Sequence, residues 1–183
     1  MSIIKNPYIQ LYIKESSDNI KYWKSIIHGM EPLKLPKDPF GPSNGNGGLH
    51  KIFYPKDSIS IEKLKNLTDE SSILCAVIGS LQVLLYRYCN QNDFCVGLSL
   101  DGAYLNEFAK HNGFKIDLNP LPVRTQIDSG LTFDRIIQNS KEAVFEALVN
   151  SNVTFEELIK MGKNEQLSDF FFNVLCILKK EHV

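Results

Sequence analysis

Between Ser72 and Tyr88 the chain carries its densest apolar periodicity. Leu74, Val77, Ile78, Leu81, Leu84, Leu85 and Tyr88 recur at intervals of three and four. That spacing predicts a helix with one broad apolar face, and the remaining positions are apolar enough to predict burial on most sides. Asn90-Gln91-Asn92-Asp93 follows as a polar turn. Phe94 to Leu100 is then nearly all apolar, the pattern of a short buried strand. Upstream, Ile20, Trp23, Ile26 and Ile27 mark a helix opened by Ser17 or Asp18 and ended by Gly29. Prolines at 32, 36, 39 and 42 and the Asn-Gly run after them forbid a helix across 31–48, which reads as an extended connector and loop. Residues 49–54 (LHKIFY) read as a strand, and Ser60 caps a short helix.

Downstream, residues 102–111 hold a helical turn, and Phe114 to Ile127 is extended, with Pro120 and Pro122 placing part of it at an edge or bulge. Thr132 is positioned to cap a helix reaching about Leu148, with Phe133, Ile136, Ile137, Val144, Phe145 and Leu148 inward. Thr154-x-x-Glu157 has the form of a capping box, and Phe170 to Leu178 reads as a last apolar strand. Strands alternating with helices give an α/β or α+β class with a mixed sheet flanked by helices. The organisation expected is an N-terminal arm or strand over 1–16, then a single lobe over 17–183 containing the 31–48 connector.

Composition narrows the function classes. The 183 residues are 43% hydrophobic and 22% charged, ordinary for a folded domain. Twenty Lys and Arg against twenty-one Asp and Glu give a net charge of -1, so bulk attraction to nucleic acid or an anionic membrane is not expected. No apolar run approaches the roughly 20 residues of a membrane span. The opening residues lack a secretory h-region. Cys75, Cys89, Cys95 and Cys176 form no C-x-x-C pair and fall in apolar runs, as buried reduced thiols of a cytoplasmic protein would.

Familiar catalytic patterns are missing. His28, His50, His111 and His182 show no ligand spacing, and no nucleophile elbow, Walker loop, dinucleotide glycine pattern or H-E-x-x-H occurs. Asn44-Gly45-Asn46-Gly47-Gly48 lacks the Lys-Ser/Thr ending of a phosphate cradle. Glu156 and Glu157 suit a helix start better than acid–base chemistry. No catalytic residue and no metal site is assigned.

The order of segments is more informative than any one motif. Tyr22-Trp23-Lys24, then Leu35-Pro36-Lys37-Asp38, then Leu84-Leu85-Tyr86-Arg87-Tyr88 precede Asn90-Gln91-Asn92-Asp93-Phe94 and Val96-Gly97. Gly113-Phe114, Asn119-Pro120-Leu121-Pro122-Val123-Arg124, Phe155-Glu156-Glu157-Leu158-Ile159 and Phe171-Phe172-Asn173-Val174 follow. Over roughly 18–178 this series resembles the second half of a condensation domain of nonribosomal peptide synthetases, in the chloramphenicol-acetyltransferase-like superfamily.

The resemblance implies a half-domain of that fold. A complete domain has two lobes around a tunnel, into which carrier proteins bring thioester-linked substrates on phosphopantetheine arms for amide-bond formation. No cofactor would bind this chain directly; phosphopantetheine would arrive on peptidyl carrier proteins. The family's H-H-x-x-x-D-G motif belongs to the first lobe, and no His-His pair occurs here. The D-F-G-W-G-like segment expected after the last strand is also missing. The family arginine six positions after the glycine matching Gly97 is Ala103, and the histidine of H-Q-D-x-P-F-E is Asn150 in NSNVTFE. A methyl group cannot form the guanidinium–carboxylate bridge expected of that arginine.

The expectation is therefore a non-catalytic lobe that works with a first lobe, on the same or another chain, and with carrier proteins. A binding, scaffolding or homodimerising module is the alternative, and an acyltransferase using another base is a third. Asn119 and Arg124 match tunnel-side positions and are the substrate-channel candidates, with structural roles as the competing reading for both. Tyr22 and Trp23 are expected to pack rather than anchor a carrier protein.

Overall fold

The computed structural model describes residues 16–36, 70–100, 120–164 and 174–178. The expectations for 1–15, 49–54, the helix at Ser60, 102–111 and Asn119 lie outside these residues. The described elements run α1 (Ser16–Ile27), α2 (Glu70–Cys89), β1 (Asp93–Leu100), β2 (Leu121–Gln126), α3 (Phe133–Val149), α4 (Phe155–Asn164) and β3 (Leu175–Leu178). The strand order is β2-β1-β3. β1 runs antiparallel to β2, with Cys95 opposite Arg124 and Gly97 opposite Pro122, and parallel to β3, with Gly97 beside Leu175 and Ser99 beside Ile177. The mixed α/β architecture expected from the alternation of patterns is thus present.

Local signals hold at most boundaries. α1 stops where Gly29 takes φ +65°, a left-handed conformation that costs glycine little. Asn90 takes φ 49° after α2, a role asparagine tolerates. Thr132 caps α3 by accepting the Arg135 N–H at 3.3 Å. The capping box of α4 is complete: Thr154 Oγ1 accepts the Glu157 N–H at 3.2 Å, and Glu157 Oε2 accepts the Thr154 N–H at 2.8 Å.

β1 is the centre of the core. Phe94, Cys95, Val96, Gly97 and Leu98 are all buried, so consecutive side chains on both sheet faces are covered, as the unbroken apolar run predicts. Trp23, Ile27, Leu33, Ile78, Val123, Val144 and Leu158 join the same cluster.

Two sequence expectations are corrected. α2 is not buried on most sides, and only part of the predicted face is inward: Ile78 and Leu85 are buried and Leu81 packs half-buried against the core. Cys75, Ile78, Gly79, Gln82 and Leu85 face inward, while Val77 and Leu84 are each 52% exposed and Tyr88 71%. With apolar residues on several sides, spacing alone does not separate Ile78 and Leu85 from Val77 and Leu84. The choice is made by Gly79, whose missing side chain lets α3 approach: a Cβ there would lie 3.2 Å from Ser140 Oγ and 3.3 Å from Ile137 Cγ1. Phe133 is likewise exposed, because it sits in the first turn of α3, ahead of its packed stretch. Of the last strand, expected over Phe170–Leu178, the described part is Leu175–Leu178, with Leu175 and Ile177 exposed on one face; residues 170–173 lie outside the described residues.

Candidate functional site

Arg124 gathers the end of the sheet and the end of α1. It sits on β2 directly across from Cys95, two residues along from Asp93 at the start of β1. Register puts Asp93, Cys95, Arg124 and Gln126 on one sheet face. The guanidinium meets the Asp93 carboxylate as a fork: Nε donates to Oδ1 at 2.8 Å and Nη2 to Oδ2 at 2.7 Å. Nη1 donates to the carbonyls of Ile26 at 2.6 Å and His28 at 2.9 Å. Gln126 Nε2 adds a bond to Asp93 Oδ2 at 3.0 Å.

The electrostatics are mutually consistent. The last carbonyls of a helix carry partial negative charge, so the cation lies between a helix C-terminus and a carboxylate. The hydrogen bonds from Arg124 hold the Asp93 carboxyl below its ordinary 3.8 despite partial desolvation, with help from Gln126 and from the guanidinium charge. The pair is largely but not wholly covered, with side-chain exposures of 15% and 31%. Behind it, burial pushes the Cys95 thiol up and keeps it neutral. Burial also raises the Tyr22 phenol, reinforced by the Glu146 charge.

This chemistry is that of a brace. Four of the five guanidinium N–H groups are engaged by named acceptors. The thiols of Cys89 and Cys176 are also shifted up by desolvation, away from the nucleophilic thiolate. No group of three His, Cys, Asp or Glu residues among the described ones is arranged to hold a metal ion.

Of the two channel candidates, the structure thus places Arg124 in the brace, and Asn119 lies beyond the described residues. Asn150, which the resemblance sets opposite a family histidine, is fully buried at the C-cap of α3. Its Nδ2 donates to Glu146 O at 2.8 Å, and its own carbonyl accepts the Trp23 indole N–H at 2.8 Å. Trp23 is therefore a packing residue, and Tyr22 packs edge-on against it at 4.9 Å. Asp93 is the member of the site that sequence patterns miss, because in them it is one more polar residue of a turn. Pairing it with Arg124 requires the strand register across thirty-one positions.

Comparison with known proteins adds scale. A family profile described as Condensation domain matches residues 9–180. One linear gramicidin synthase protein of Brevibacillus parabrevis is 30% identical over 170 residues, 89% of this chain and 3% of that protein. A second protein of the same synthase is 29% identical over 165 residues, 87% of this chain and 2% of that protein. Among solved structures, a mutant starter condensation domain of rhizomide synthetase in complex with C8-CoA and Leu-SNAC superposes with a TM-score of 0.60 at 16% identity. The match covers 88% of this chain and 35% of that one. The X-domain from teicoplanin biosynthesis gives 0.57 at 19% identity, over 88% and 37% respectively. These likenesses establish the fold, and the chain spans only a few per cent of the length of the curated relatives it matches.

Proposed function

Because the chain belongs to the condensation-domain family, we propose that it serves as the second lobe of such a domain in a nonribosomal peptide synthetase, and that by itself it is inactive. The observation that carries this reading is the match across 9–180, paired with a fold that accounts for 35% of a solved condensation-domain chain. The reaction supported is attack by the amine of an acceptor on the thioester carbonyl of a donor. A C–N bond forms, the C–S bond breaks, and the thiol of a phosphopantetheine arm leaves with the amine's proton. Peptidyl carrier proteins would present both substrates in the cytoplasm, and a first lobe would supply the proton-handling histidine. In this reading Asn119 lines the channel, and Arg124 serves the same wall as a positioning residue.

The exposed pair Leu175 and Ile177 supports the two-lobe reading. They share a sheet face beside the central strand, in register with Gly97 and Ser99, and form an apolar patch that a partner lobe would cover. The same exposed surface is what favours the second reading, a homodimerising or scaffolding module. Mixing the chain with a first lobe and loaded carriers, with product read by mass spectrometry, separates them. Amide should form with both lobes and not with this chain alone. Turnover by the isolated chain, or failure to associate with a first lobe, would overturn the proposal, and a dimer by light scattering would favour the second reading.

A further inference from the structure

The segment after α1 is held in an unusual way. Arg124 Nη1 reaches the carbonyls of Ile26 and His28. Gln91, in the turn between α2 and β1, grips the same segment further on. Its Oε1 accepts the Lys34 N–H at 2.9 Å, and its Nε2 donates to the Pro32 carbonyl at 3.2 Å. Each of these four bonds goes to a main-chain atom. Met30 and Leu33 enter the core at 4% and 0% exposure, while His28, Glu31, Lys34, Leu35 and Pro36 are exposed.

The two gripping residues are themselves fixed. Asp93 holds the Arg124 guanidinium, and the end of the β1–β2 pair is closed by the Ile127 N–H donating to Asn92 O at 2.8 Å. At the other end, Gly29 turns the chain with φ +65°, and the Met30 N–H closes onto Ile27 O at 3.2 Å. Two rigid points, on different elements, thus hold successive stretches of one peptide.

We infer that residues 28–36 form a strap clasped through its backbone by Arg124 and Gln91, and that this clasp sets the direction in which the chain leaves α1 along the first part of the proline-rich stretch. A main-chain grip acts on the peptide rather than on the outward side chains, so it specifies the path whatever those side chains are. It asks only for apolar side chains at 30 and 33 and for a residue at 29 that accepts the left-handed turn. This inference is independent of the proposed reaction.

Hydrogen exchange of the full chain, resolved to single amides, tests it. The Lys34 amide, on an exposed residue, should exchange at least about tenfold more slowly than an unstructured amide. Gln91→Ala should remove that protection, and Arg124→Lys should speed exchange at the His28 and Met30 amides by about tenfold, while amides of α3 stay unchanged. The pair Glu31→Ala with Lys34→Ala, which breaks only an exposed ion pair of 3.0 Å, should leave the strap as it was. An unprotected Lys34 amide in the wild type would overturn the inference without any variant. So would acceleration of α3 equal to that of the strap, or loosening by the outward pair.

Discussion

Trp23 donates its indole N–H to the carbonyl of Asn150 at 2.8 Å, joining two fully buried residues 127 positions apart. The bond ties α1 to the C-cap of α3, and Asn19 supports the same junction by donating to Asn152 O at 3.2 Å. Trp23→Phe keeps the aromatic packing and leaves the Asn150 carbonyl without this donor. A loss of about 1–3 kcal/mol is expected in urea unfolding followed by circular dichroism. A loss below about 0.5 kcal/mol would mean that the bond has no weight in the fold.

The Arg124–Asp93 fork predicts a larger effect. Arg124→Ala removes a bidentate partner and two helix-end contacts and should cost about 2–4 kcal/mol, discounted from the fully buried case because Asp93 retains some solvent. Arg124→Lys should recover only part of this, since an ammonium cannot reproduce the planar fork. Equilibrium unfolding of the three proteins at neutral pH gives the ranking.

The pH dependence follows from the same pair. Asp93 titrates lower in the folded chain than its ordinary 3.8, so its contribution is complete above that value and is lost as pH falls through the folded value. The stability gap between wild type and Asp93→Asn should be widest above about pH 5 and close on the acid side of the folded value. Arg124 stays protonated throughout, and Gln126, the other polar side chain bonded to the carboxylate, does not titrate. A gap that persists unchanged into strong acid would show that Asp93 acts through shape rather than charge.

At the α2–α3 contact, Gly79→Ala gains helix propensity worth about 1 kcal/mol and meets Ser140 and Ile137 at 3.2–3.3 Å, so the two effects should nearly cancel. Gly79→Val keeps part of that gain but adds bulk the contact cannot take, and should destabilise by about 1–3 kcal/mol. Thermal unfolding of both variants distinguishes a contact glycine from an incidental one.

Thr154→Ala should cost about 1 kcal/mol, because it removes the acceptor for the Glu157 N–H. The Thr154 backbone N–H, and then its hydroxyl, hold the Glu157 carboxyl below its ordinary value. In wild type the box therefore weakens as pH falls through the lowered value, and the variant should lack part of that acid dependence. Denaturant titrations at two pH values measure it.

Elements governed by neighbours in sequence are legible from residue types alone. Thr132, Gly29 and the Thr154-x-x-Glu157 box act within four residues of themselves, so backbone chemistry places the ends of α1, α3 and α4. The nearly unbroken apolar run after Asp93 likewise announces a strand covered on both faces. The ordered motifs also point to the family, because that signal is carried by residue types and gaps.

Tertiary structure decides which of α2's apolar positions are inside, since apolar residues on several sides leave Val77 and Leu84 as eligible as Ile78 and Leu85 until Gly79 meets α3. It also decides what Arg124 does. Its partners come from α1, from the residue that follows it and from the start of β1, at separations of 98, 96 and 31 positions. Periodicity reports only which face of a local element is apolar. A guanidinium's partners are fixed by where distant strands and helix ends come to rest.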